Sequence, residues 1–87
     1  MKHAETEALS QLEGLLAGLR SIETLKEKRP GVLYLRSRAF LHFHEDPTGL
    51  FVDIRLSGED FTRLPVNTPN EREKVLRVAQ TAMERGR

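Results

Sequence analysis

The chain has 87 residues, of which 14 are Lys or Arg and 13 are Asp or Glu, giving a formal charge of +1. That length holds one domain, and Leu, Ile, Val and Phe supply 24 residues, enough apolar material to fold. No apolar run approaches the ~18 residues of a membrane span, and the absence of cysteine excludes disulfides and thiolate metal sites.

The first element reads as a helix. Leu9, Leu12, Leu15, Leu16, Leu19 and Ile22 recur at spacings of three and four, which lines them along one face at 3.6 residues per turn. Glu5 and Glu7 suit a helix N-terminus, with Thr6 as a cap. Leu25 falls off the stripe, so the helix is expected to end near Ser21. Gly14 and Gly18, four residues apart, either permit close approach of another backbone or are simply tolerated. The segment LKEKRPG reads as the helix C-terminal region, rich in cations and closed by Pro30.

From Val32 to Leu56 the period changes to two. LYLRSRAFLHFHED and LFVDIRL alternate and are rich in aromatic and β-branched residues. The turn DPTG, Asp46 to Gly49, joins them. This loop pairs Glu45 with Leu50, His44 with Phe51, Phe43 with Val52, His42 with Asp53, Leu41 with Ile54 and Phe40 with Arg55. Ala39, Leu41, Phe43, Val52, Ile54 and Leu56 then share one face, and Phe40, His42, His44, Phe51, Asp53 and Arg55 the other. Upstream, a tight turn at Ser37-Arg38 makes Val32–Arg36 a further strand, with Leu33 and Leu35 on the face of His42. After the loop SGED, FTRLPV is expected to be a short edge strand, because Pro65 cannot donate to a ladder. A helical turn at 59–63 is the competing reading.

The last helix opens with Thr68-Pro69-Asn70-Glu71, a capping box with Thr at the N-cap and Glu three residues on. Val75, Leu76, Val78, Ala79, Ala82 and Met83 form its apolar face, and Gly86 is expected to close it.

Residues 1–87 therefore read as a single α-β-β-β-(β)-α domain. The fold class is α+β: a two-layer sandwich with an N-terminal helix, an antiparallel three- or four-stranded meander and a C-terminal helix. The helices are expected to cover the Leu41, Phe43, Val52 and Ile54 face. That leaves Leu33, Leu35, Phe40, His42, His44, Phe51, Asp53 and Arg55 on the other face, an apolar surplus with no element to cover it. It points to a homodimer or a protein partner seated there.

The HFHED segment carries the one alternative with chemistry. His42 and His44 stand about 6–7 Å apart on a strand face, opposite Asp53 in the register above. Two imidazoles and a carboxylate suit a divalent metal such as iron, manganese or zinc; a packed His–Asp pair is the structural alternative. No other cofactor is indicated. There is no phosphate loop and no nucleophile motif, so the reading leans away from an enzyme. The even spread of charge along the chain argues against nucleic acid, although Phe40 and Phe51 with Arg36, Arg38 and Arg55 are the residue types that stack single-stranded bases. The first residues, MKHAETEA, lack a signal-peptide core, and the cytoplasm is the expected compartment.

The stretch Tyr34 to Leu56 resembles the central hairpin of small uncharacterised bacterial α+β domains. These share Phe-x-His-x-His, here Phe40-Leu41-His42-Phe43-His44, then a Gly turn and an apolar-Asp-apolar strand, here Val52-Asp53-Ile54. Some longer relatives carry a luciferase-like domain label. The resemblance covers about a quarter of the chain and implies a fold and no activity. The longer relatives have a Trp-bearing segment before the last helix; this chain has no Trp and only residues 58–68 in that place.

Overall fold

The computed structural model describes residues 2–57 and 59–85, with side chains for residues 4–56 and 59–84. The elements run β1 (Lys2–His3), α1 (Thr6–Gln11), α2 (Glu13–Arg20), β2 (Leu25–Arg29), β3 (Val32–Leu35), β4 (Arg38–Asp46), β5 (Gly49–Ser57), β6 (Asp60–Pro65) and α3 (Pro69–Arg85). The fold is α+β, with helix, antiparallel meander and helix in the expected order. The sheet is larger than expected. Its order is β2-β3-β4-β5-β6, and β1 pairs with the far end of β4. No helix among the described residues is long and apolar enough to cross a membrane.

Two strands, β1 and β2, come from segments not read as strands above. Leu25–Arg29 is an edge strand, where the sequence suggested a helix end. Its charges suit both places, but an edge strand leaves long cations in water, and Pro30–Gly31 supplies a turn into β3. FTRLPV forms the expected edge strand, β6, and not a helical turn. The N-terminal helix ends at Arg20, close to Ser21 as expected, but it is broken at Leu12 into α1 and α2. Thr6 does not cap it. The N-cap is Glu5, with no side-chain cap, and the Glu5 N–H donates instead to Glu45 Oε2 at 3.0 Å.

The capping box of α3 forms as read. Glu71 N–H donates to Thr68 Oγ1 at 3.1 Å, and Glu71 Oε1 accepts from the Thr68 N–H. Gly86, the expected helix terminator, lies outside the described residues. Of the two glycines in the N-terminal helix, only Gly18 has a packing reason. A Cβ there would stand 2.9 Å from Leu76 Cδ2, whereas one at Gly14 would meet nothing within 4 Å.

The core lies between the helices and one sheet face. It joins Leu12, Leu15, Leu16 and Leu19 with Leu41, Phe43, Val52, Ile54, Val66, Val75 and Ala79. The β4–β5 register from Leu41↔Ile54 to Asp46↔Gly49 is the one derived from the turn. Two residues of the expected core face fall outside the core cluster, Ala39 and Leu56, the latter 37% exposed. Leu56 lies where the β5–β6 register shifts, between Ile54 and Ser57.

The β3–β4 hairpin departs from the expectation by one residue, and the consequence is large. The turn falls at Arg36-Ser37, where Arg36 takes φ 60°. Moving a two-residue turn by one position changes the pairing by two, to Leu35↔Arg38 and Tyr34↔Ala39, and by itself would leave the faces as expected. The odd step comes from a bulge between Leu33 and Tyr34, beyond which Leu33 pairs with Leu41 and Val32 with His42. A one-residue step exchanges the two faces of a strand, so Leu33 enters the core and Val32 joins the His42 side. The same bulge leaves Phe40 as the extra residue on β4. Phe40 is buried in the same core cluster, and Leu35 packs against it. Three of the four apolar residues assigned to the uncovered face thus belong to the core.

Candidate metal centre

The face opposite the helices is built around three strands. Along β4 it presents His42 and His44, along β5 Phe51, Asp53 and Arg55, and along β6 Phe61 and Arg63. The register places Asp53 between His42 on one side and Arg63 on the other. On the open side of β4, β1 sets His3 at the register position opposite His44.

The sequence-derived trio comes together. One ligand atom from each of His42, His44 and Asp53 lies within 4.8 Å of the others. His44 Nε2 is 3.0 Å from Asp53 Oδ2, and the two imidazoles meet edge to face with centroids 4.5 Å apart. His44 and Asp53 are buried, at 9% and 8% exposure. The alternation that makes β4 a strand is what turns both imidazoles to this side, while Leu41 and Phe43 anchor the strand to the core.

Arg63 is the residue that sequence reasoning missed. Its Nε donates to Asp53 Oδ1 at 2.7 Å and its Nη2 to Oδ2 at 2.8 Å, a two-point grip on the carboxylate. This guanidinium holds the Asp53 carboxyl below the ordinary carboxylate range, against the opposing effect of burial. Reading β6 as a strand implied an edge. The shift between Ile54 and Ser57 sets which β6 residue faces Asp53.

Phe61 was also missed. Its ring meets His42 edge to face at 4.9 Å, and the Arg55 guanidinium stacks 4.4 Å from its centroid. Arg55 is further tied to the Ala39 and Glu59 carbonyls, so it braces the rim of the site. Phe51 is half-buried on the same face. Leu33, Leu35 and Phe40 are absent from it, having moved to the core side as described above.

The arrangement offers two imidazole nitrogens and a carboxylate beside a fixed cation. Comparison with protein families, with curated proteins and with solved structures found no match.

Proposed function

We propose that this chain is a small divalent-metal-binding domain, with His42, His44 and Asp53 as ligands. The observation that supports it is the convergence of one ligand atom from each residue within 4.8 Å. Donors around one ion stand about 3–3.5 Å apart for bonds of about 2.1 Å, so small side-chain rotations close the remaining gap. Imidazole with carboxylate favours zinc, iron or manganese over calcium or magnesium. Three protein ligands leave coordination positions for water or a further molecule.

The test is a titration of chelator-stripped protein with zinc, manganese and ferrous iron, read by calorimetry and thermal melting. One equivalent is expected to bind, and a hundredfold excess over Kd stabilises by about 2.7 kcal/mol. His42→Ala and His44→Ala are each expected to weaken binding at least tenfold, by about 1.4 kcal/mol or more. Failure of all three metals to bind stoichiometrically or to raise the melting temperature overturns the reading.

A second reading makes this face a contact surface for a second copy or a protein partner. Phe61 favours it, being 37% exposed next to His42 and Arg55. It depends on Phe61, Phe51 and the histidines, no longer on Leu33, Leu35 or Phe40. Sedimentation over a wide concentration range tests self-association. A monomer throughout, unchanged by Phe61→Glu, rejects the homodimer.

A further inference from the structure

The residues of the proposed metal site already hold a cation. Asp53 and Arg63 are direct partners across β5 and β6, and Arg63 takes both carboxylate oxygens, at 2.7 and 2.8 Å. A metal ion bound to Asp53 must share or take those oxygens. A dication there also stands within a few ångströms of a guanidinium, and like charges repel strongly at that range where water is scarce.

The two partners differ in how freely they can part. The Asp53 side chain is 11% exposed and the Arg63 side chain 51%. Asp53 lies on an inner strand, whereas Arg63 lies on the edge strand, β6. Arg63 can therefore withdraw into water at little desolvation cost. Asp53 cannot lose its counter-charge without a replacement, because a buried unpaired carboxylate is strongly disfavoured.

We infer that Arg63 is an internal competitor for the metal. In the metal-free protein its guanidinium neutralises Asp53. Metal binding displaces it and frees it at the rim of the site. The inference rests on the metal reading and adds to it: the affinity is set by what the ion must displace as well as by the ligands. One cation replaces another at the same carboxylate: the two Arg63 N–H hydrogen bonds to Asp53 are broken and a bond from carboxylate oxygen to metal is formed.

The experiment compares zinc binding by the wild-type chain, Arg63→Gln and Arg63→Lys. Arg63→Gln is expected to bind zinc at least tenfold more tightly, a gain of about 1.4 kcal/mol. Arg63→Lys, a point charge without the fork, should fall between. In the wild-type chain, the Nε–H proton resonance of Arg63 should be slow to exchange without zinc and fast with it, a readout that needs no variant to fold. Equal or weaker binding by Arg63→Gln, or an Nε–H that stays protected at zinc saturation, overturns the inference. Should Arg63→Gln bind zinc and the wild-type chain not, the competitor stands and the metal-binding function of the natural chain falls. Should neither bind, both fall.

Discussion

Asn67 holds Leu50 by both of its backbone polar groups. The Leu50 N–H donates to Asn67 Oδ1 at 2.8 Å, and Asn67 Nδ2 donates to the Leu50 carbonyl at 3.2 Å. Because Val66 N–H also donates to that carbonyl, the segment leading into α3 is fastened to the start of β5. The neighbouring Gly49 takes φ 141°, and a Cβ there would lie 2.7 Å from Asn67 Oδ1. Gly49→Ala is therefore expected to cost about 1–3 kcal/mol through backbone strain and loss of the clamp. Asn67→Ala leaves the Leu50 N–H to water and is expected to cost about 1 kcal/mol. Urea unfolding of both variants checks the order. An Asn67→Ala more damaging than Gly49→Ala contradicts it.

Glu27 makes stability depend on pH. Its carboxylate accepts from Arg20 Nε at 2.7 Å and from the Gly31 N–H at 2.9 Å. The Arg20 hydrogen bond, followed by that of Gly31, lowers its pKa below the ordinary 4.5, while burial opposes them. A carboxylate whose folded pKa is depressed stabilises above its unfolded pKa and loses that contribution as pH falls through the folded value. Glu27→Gln should therefore melt below the wild-type chain at pH 7. The gap should close as the pH drops below about 4.5. A gap that stays constant from pH 7 to pH 3 refutes the coupling. Asp53, lowered by Arg63, contributes in the same direction and remains in both proteins, so the comparison isolates Glu27.

The face assignments of Leu33, Phe40 and Phe61 are open to a direct measurement. Leu33 and Phe40 belong to the core cluster. Leu33→Ala is expected to cost about 2–5 kcal/mol and Phe40→Ala about 3–5 kcal/mol. Phe61, on the exposed edge strand, should cost less than about 1 kcal/mol when replaced by Ala. Thermal melts of the three variants suffice. A neutral Phe40→Ala puts that ring back on the open face and removes the bulge argument with it.

Legibility followed the reach of each interaction. The β4–β5 register was readable because a short turn fixes it and because Leu41, Phe43, Val52 and Ile54 alternate against His42, His44 and Asp53 without exception. The α3 start was readable because Thr68, Pro69 and Glu71 act within one helical turn. The trio of the candidate site follows from that register alone. The β3 faces were not readable, since a turn at Ser37-Arg38 or at Arg36-Ser37 gives the same faces, and only the bulge at Phe40, which carries no local signal, exchanges them. Leu25–Arg29 was not readable either, because a charged segment closed by Pro30-Gly31 fits a helix end and an edge strand alike.

The sequence by itself determined the α+β class, the central hairpin and the meeting of His42 with Asp53, because these depend on alternation, turn chemistry and capping over a few residues. Tertiary structure decided that Leu33 and Phe40 fill the core, that β1 lies beside β4, and that Arg63 grips Asp53. Each of those outcomes compares the burial of distant side chains between alternatives whose local geometry is equally good. The bulge at Phe40 places two more large apolar side chains, Leu33 and Phe40, in the core, and burial of that size outweighs the ladder pairing lost at one residue.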